Sequence, residues 1–172
     1  MKVSCSGRRV RFESEVKRLP NGASVLVDRV VFPRSVAVLP AWRKGRRIAL
    51  VRQYRPSIDK WILEAPAGTI DEGEEAARAA AREMEEEAGL KPGHLEEVGR
   101  GYVSPGYSTE YLTLYLAWEP VEGRAAAEAH EVIERRVVMT LEEAMEMVKR
   151  GEIEDVKTIL LLLALANRVE RG

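Results

Sequence analysis

Cysteine is almost missing from this 172-residue chain. Cys5 is the only one, so no internal disulfide can form, and with histidine confined to His94 and His130 no Cys/His zinc site can be assembled. Any metal must rest on oxygen ligands. Charge of one sign is lacking too: 27 Lys plus Arg stand against 28 Asp plus Glu, a formal net charge of −1, which leaves no global positive field to hold nucleic acid. Long apolar runs are absent. The longest, Ile159 to Ala166, has eight residues, against the roughly 18 or more that a membrane span needs, and no apolar stretch of signal-peptide length opens the sequence. These absences predict a cytoplasmic protein without a membrane partner. Aromatics are few, and between Glu13 and Val31 there is no Phe, Tyr or Trp.

What is present is an ordinary globular balance, 45% hydrophobic and 32% charged, rather than the apolar-poor composition of disorder. A chain of this length buries roughly 70% of its unfolded surface as one core. Turn chemistry at Leu19-Pro20-Asn21-Gly22 separates Val10-Arg11-Phe12 from the apolar segment Val25 to Phe32, which predicts an early hairpin. Ser35 to Leu39 and Arg47 to Val51, joined through Lys44-Gly45, read as paired central strands. From Glu74 to Ala88 the composition turns to Ala, Arg and Glu and stops at Gly89, which predicts a helix with a left-handed closing residue. Strands return in Leu95 to Val103, Tyr111 to Trp118 and Val137 to Met139. Thr140 followed by Glu143 has capping-box spacing and opens a helix that Gly151 ends; Asp155 caps a last helix through Asn167, whose Ile159 to Leu165 stretch is apolar nearly all round and so expected to be buried. The reading is an α/β chain: a mixed sheet sandwiched between helices, preceded by an N-terminal β-hairpin region.

The densest chemical signal is Arg82-Glu83-Met84-Glu85-Glu86-Glu87-Ala88-Gly89-Leu90. At 100° per residue Glu86 and Glu87 fall within about 60° of Glu83, while Glu85 points to the other side. Like charges at these spacings cost a helix roughly 0.2–0.5 kcal/mol per pair, and carboxylates in a last turn oppose the negative end of its dipole. A hard dication such as Mg²⁺ or Mn²⁺ reverses that sign, because it takes several converging carboxylate oxygens. Gly68 stands fifteen residues before Glu83 in Ala65-Pro66-Ala67-Gly68-Thr69-Ile70, where it permits sharp backbone geometry that can turn the Ala67 carbonyl toward the helix. Glu74 lies one or two turns before Arg82 and can pair with it.

Together these residues resemble the signature of the Nudix hydrolase family: Gly, five residues, Glu, seven residues, then Arg-Glu-aliphatic-x-Glu-Glu-x-Gly-aliphatic. Gly68, Glu74, Arg82, Glu83, Met84, Glu86, Glu87, Gly89 and Leu90 fill all nine places over 23 residues, with Met84 a mild variant at an aliphatic slot. The resemblance implies a Nudix-type α/β/α sandwich over residues 35–172, with residues 1–34 an N-terminal strand region that a homodimer can exchange between its subunits. It also implies that a loop-helix-loop carries Mg²⁺, or Mn²⁺ or another divalent cation, on Ala67, Glu83, Glu86 and Glu87.

Flanking residues bear on the substrate. Ser104-Pro105-Gly106, with Pro105 sixteen residues past Gly89, resembles the downstream proline of the ADP-ribose pyrophosphatase subgroup, and Val51-Arg52-Gln53-Tyr54-Arg55-Pro56 and Leu63-Glu64-Ala65-Pro66-Ala67-Gly68 resemble the same subgroup. Arg52 and Arg55 suit a diphosphate because guanidinium offers a planar fork of donors. Glu64 either accepts hydrogen bonds from a ribose or belongs to a structural ion pair. Gly68, Pro105, Gly106 and Glu110 complete the candidate substrate contacts. In the subgroup a loop at Glu128-Ala129-His130-Glu131-Val132-Ile133 supplies a carboxylate as base or as a further metal ligand. Glu131 fits that place best, and Glu128 stands one place from the loop's second acid, with Glu86 as the remaining catalytic candidate.

The resemblance implies hydrolysis of ADP-ribose to AMP and ribose 5-phosphate. Two alternatives stand beside it: cleavage of another nucleoside diphosphate (a dinucleotide, nucleotide sugar or oxidised nucleotide) and an ADP-ribose sensor that does not cut. The intact carboxylates, and a length that leaves no room for a DNA-binding helix-turn-helix, argue against the sensor. For the adenine, Phe12, Trp42 and Tyr107 are the available aromatics.

Overall fold

The structure is a computed structural model and describes residues 2–126 and 132–169. The alternation in the N-terminal segment forms three antiparallel strands, β1 (Lys2–Ser6), β2 (Arg11–Arg18) and β3 (Ser24–Val31), in a sheet of their own. The expected hairpin is β2 and β3, and β1, absent from the sequence reading, adds along β2. The remaining elements run β4 (Ser35–Trp42), β5 (Arg47–Arg55), β6 (Lys60–Glu64), β7 (Ala67–Thr69), α1 (Ala76–Ala88), β8 (Leu90–Lys91) and β9 (His94–Tyr102). β10 (Tyr111–Trp118), β11 (Val121–Glu122), β12 (Val132–Thr140), α2 (Leu141–Lys149) and α3 (Val156–Val169) follow.

The main sheet is mixed, in the order β12-β5-β4-β10-β9, with β6 paired to β5 and β7 to β4. β4 runs parallel to β10 and all its other pairings are antiparallel. The expected β4–β5 hairpin is reduced to two pairs, Ala41 with Ile48 and Trp42 with Arg47, because Lys44–Arg46 coil into a 3₁₀ turn and β6 and β7 occupy the space beside the rest of β5 and β4.

Both faces of the sheet are covered, which is why β4 is buried along nearly its whole length. On one face Val36, Val38, Ala49 and Val51 pack against Ala79, Ala80 and Met84 of α1; the small alanines let the helix axis come close. On the other, Leu39, Ile48, Leu50 and Leu116 meet Leu141, Ala144, Leu161, Leu162 and Leu165 of α2 and α3. Each fully buried large aliphatic stabilises by roughly 1.5–3 kcal/mol relative to exposure. The arrangement is the predicted α/β/α sandwich.

Helix ends follow the sequence signals. Thr140 accepts from the Glu143 N–H while the Glu143 carboxylate accepts from the Thr140 N–H, completing the capping box. Asp155 accepts from the Thr158 N–H at the start of α3. One expectation is corrected: the Ile159–Leu165 stretch is not buried all round. Leu160 and Leu163 are 47% and 49% exposed, because α3 lies across the sheet surface: Thr158, Leu161, Leu162 and Leu165 are buried, Ile159, Ala166 and Val169 pack at the edge of the core, and the far side faces outward. Among the described residues no helix is long and apolar enough to cross a membrane.

Candidate active site

The site starts from the antiparallel pairing of β7 with β4, which puts Val36 opposite Gly68 and brings β7 under the last turns of α1. There the glutamate face meets the Gly68 backbone. A Cβ built on Gly68 would fall 2.1 Å from both Cδ and Oε1 of Glu83, so any other residue here collides with the carboxylate. Glu83 and Glu87 are buried, 7% and 4% exposed. Glu87 Oε2 accepts from the Ala67 N–H at 2.9 Å, so the contact recorded between Ala67 and the helix runs through its amide. Glu86 is more open and Glu85 turns aside to Lys91, 3.2 Å away.

Arg82 organises these acids. Its guanidinium makes a two-point bond to Glu74, 3.0 and 2.9 Å, donates to Glu83 at 2.7 Å and to Glu86 at 3.1 Å, and reaches the Thr69 carbonyl at 3.1 Å. The predicted Glu74–Arg82 pair therefore fastens the loop between β7 and α1 to the helix. The Glu74 bond, against some loss to burial, drives the Arg82 pKa well above its ordinary range. The same contact holds the Glu74 carboxyl below the usual range.

Gly89, at φ 65°, closes α1 in the left-handed conformation that glycine tolerates, as predicted. The carbonyls at the end of α1 are taken up by the segment that follows β10 and by β12. Ala126 donates to the Glu86 carbonyl (3.0 Å), Gly123 to that of Gly89 (2.8 Å), and the Arg136 guanidinium to that of Ala88 (3.1 Å). Ala126 is the last described residue before 127–131, and its amide meets the end of the glutamate helix. Glu128, His130 and Glu131 themselves lie outside the described residues.

Beside Gly68 opens a cavity of about 150 Å³, lined among others by Arg55, Gly68, Glu110 and Lys157. Arg55 bonds the fully buried Glu64 through Nε (2.7 Å) and Nη2 (2.8 Å). Lys157 donates to the same carboxylate at 2.6 Å and to Asp155 at 2.8 Å. Glu64 is thus ion-paired with both cations. Burial works to lower the Arg55 pKa, but the Glu64 carboxylate outweighs it and the net shift is upward. Lys157 follows the same sign, with Glu64 and Asp155 overcoming burial. Both cations stay charged.

The other candidates are more scattered. Arg52, three residues from Arg55 and therefore on the opposite face of β5, pairs with Glu134 and lies 4.8 Å over the Trp61 ring. Glu110 accepts from the Ser35 hydroxyl at 3.0 Å and lines the cavity. Pro105 and Gly106 sit in an exposed loop that packs against β3, where Tyr107 and Thr109 exchange backbone hydrogen bonds with Val30. Phe12 and Tyr107 are exposed, and Trp42 donates to the Pro120 carbonyl. Lys157 also lines this cleft, a place to which no sequence pattern points, since Asp155-x-Lys157 reads as a helix start.

Among the described residues no three acidic side chains already converge as a finished cation cage, since Arg82 holds Glu83 and Glu86 and the Ala67 amide holds Glu87. The donor chemistry fits a hard divalent cation all the same: three carboxylates on one helix face, two of them buried against a backbone cradle. An α/β/α sandwich that lodges buried glutamates on a glycine beside an Arg/Lys-lined cleft is a scaffold for cation-assisted phosphate chemistry.

Residues 31–162 match the family model described as NUDIX domain, and the chain belongs to the Nudix hydrolase family, whose members generally use divalent cations. It is 36% identical over 155 residues to an ADP-ribose pyrophosphatase of Bacillus subtilis (strain 168), covering 89% of this chain and 83% of that protein. It is 33% identical over 174 residues to a GDP-mannose pyrophosphatase of Cronobacter sakazakii, covering 94% and 82%. Among solved structures, one titled as an ADP compounds hydrolase superposes with a TM-score of 0.81 at 19% identity, covering 98% of this chain and 94% of that one.

Proposed function

We propose that this Nudix hydrolase cuts the diphosphate of ADP-ribose into AMP and ribose 5-phosphate with Mg²⁺, in the cytoplasm. The observation that carries the reading is the Glu83 carboxylate seated on Gly68 next to a cleft that presents Arg55 and Lys157. The choice of ADP-ribose is supported by the Bacillus subtilis relative.

Glu83, Glu86 and Glu87, with the Ala67 carbonyl, are the residues that would hold the cation; Glu131 is the further ligand the family pattern suggests. The bound cation supplies charge neutralisation at the phosphate oxygens and activation of water. Arg55 directs its guanidinium at the diphosphate, and its place on the cleft side of β5 favours it over Arg52. Gly68 keeps the glutamate face close to the backbone, and Glu110, Pro105 and Gly106 border the substrate. Glu131 or Glu128 takes the proton from water. Residues 1–34 form the N-terminal region of a homodimer, whose exposed Val3, Val16 and Leu26 suit pairing with a second copy.

The test is incubation of ADP-ribose with and without Mg²⁺, with products identified. AMP and ribose 5-phosphate are expected only with the cation, and Glu83→Gln is expected to remove turnover. Untouched ADP-ribose, or full activity in Glu83→Gln, overturns the reading. The GDP-mannose pyrophosphatase relative favours a second reading, cleavage of a nucleotide sugar, which the same assay on GDP-mannose resolves.

A further inference from the structure

Gln53, near the end of β5, is a polar side chain that neither the core nor the site described above puts to use. It is 2% exposed, and among the described residues its Oε1 is shielded from solvent and accepts no hydrogen bond. An acceptor buried in that way is destabilising. Packing does not require it. Its cross-strand neighbours are Ile133 of β12 and Ile62 of β6, and a methionine would fill the same space beside them without an unmet oxygen.

The strand's geometry relates Gln53 to the glutamates. Successive side chains of β5 alternate between faces, so Val51, Gln53 and Arg55 share one. Val51 packs in the cluster that holds Ala80 and Met84 of α1. On that helix Ala80, Glu83, Met84 and Glu87 are all buried, and their spacing of three and four residues puts them on a single face. On the other side of Gln53, burial lowers the Arg55 pKa and Glu64 raises it, and Glu87 adds to the rise, so that carboxylate lies within electrostatic reach. Gln53 therefore stands between a residue packed on the glutamate helix and one that feels its last acid.

The arginines next to it on β5 are committed to carboxylates, Arg55 to Glu64 and Arg52 to Glu134. The donor that Oε1 lacks must come from something else. A hard dication held by Glu83, Glu86 and Glu87 keeps several waters, and the ion's charge makes their protons strong donors. A neutral amide oxygen can accept from such a water without adding another charge to a face already crowded with acids.

We propose that Gln53 is a positioning residue of the cation site, its amide oxygen accepting a hydrogen bond from a water carried by the bound divalent cation. This rests on the cation-assisted reading of the glutamate cluster and adds to it a residue outside the family signature. Loading and stability are then linked through one oxygen, which is a liability without the ion and is satisfied with it.

The experiment measures Mn²⁺ binding by electron paramagnetic resonance, and melting midpoints with and without Mn²⁺, in wild type, Gln53→Met and Gln53→Glu. No substrate is present, and only the Mn²⁺ that Glu83→Gln fails to bind is counted. Gln53→Met keeps the volume and removes the acceptor. It is expected to melt at or above the wild-type midpoint without the ion, to gain less in Tm from it, and to bind Mn²⁺ roughly ten- to hundredfold more weakly, the range for an outer partner of a metal site. Gln53→Glu keeps an acceptor in place and is expected to bind Mn²⁺ at least as tightly as wild type. Unchanged affinity in Gln53→Met overturns the proposal, because the amide then only fills space. Equal weakening in Gln53→Met and Gln53→Glu overturns it too, since the loss would not follow the acceptor. If Gln53→Met fails to fold, Gln53→Asn, which withdraws the oxygen by one methylene, is read the same way. A wild type that binds Mn²⁺ but leaves ADP-ribose intact refutes the substrate assignment alone, and the binding series still decides the role of Gln53. A wild type that binds no Mn²⁺ overturns both.

Discussion

Replacing Gly68 by alanine separates the glutamate site from the stability of the fold. Gly68 does not adopt a positive φ, so alanine meets no backbone penalty there. What it meets is the Glu83 carboxylate, with Cδ and Oε1 both 2.1 Å from the new Cβ and Oε2 2.5 Å away. Ordinary contact begins near 3.4 Å, so the carboxylate must retreat by about 1.3 Å. Overpacking of this kind costs typically 1–3 kcal/mol, partly offset by the roughly 0.4–1 kcal/mol that Gly→Ala returns by restricting the unfolded chain. For a chain of this size each kcal/mol moves Tm by roughly 2–4 °C, so the melting midpoint drops by less than about 10 °C. Activity responds far more steeply, because a misplacement near 1 Å at a reacting centre costs on the order of a hundredfold. Gly68→Ala is therefore expected to remain folded by circular dichroism, to lose about two orders of magnitude in kcat/KM, and to require a higher divalent cation concentration for half-maximal turnover. Wild-type activity with an unshifted cation requirement would refute the reasoning, since the cradle would then have no part in placing Glu83.

Thr140→Ala removes the acceptor for the Glu143 N–H at the start of α2 and is expected to cost about 1 kcal/mol, read as a small fall in Tm with kcat unchanged. Glu74→Gln tests acid stability. Arg82 lowers the folded-state pKa of Glu74, so this pair's stabilisation is fully present above the unfolded carboxylate value and is lost as pH falls through the lower folded one. Denaturant midpoints of the variant should accordingly fall less than those of wild type on acidification below about pH 4.5. An identical acid limb in the two proteins would show that the pair carries no pH-dependent stability.

The helical glutamate face, its Gly89 stop and the Glu74–Arg82 pair were legible because they depend on spacing within one helix and its adjoining loop. The capping box at Thr140 was legible for the same reason. β6 and β7 were not, since strands of five and three residues give too little periodicity and owe their form to the neighbours β5 and β4. The exposure of Leu160 and Leu163 was missed because an apolar composition does not say how much of a helix the sheet can cover. Arg52 and Arg55 looked equivalent along the chain. The two-residue period of β5 sends them to opposite faces, so that Arg55 meets Glu64 and the cleft while Arg52 stacks on Trp61.

From the residue order alone follow the family and the cluster of acids that repels itself without a cation, because helical spacing translates directly into a shared face. Which charges converge with that cluster was decided only when α3 docked on the sheet and carried Lys157 to within 2.6 Å of Glu64, 93 positions earlier in the chain. A contact of that span is made by packing, since a buried carboxylate draws its cations from whichever elements the core brings alongside.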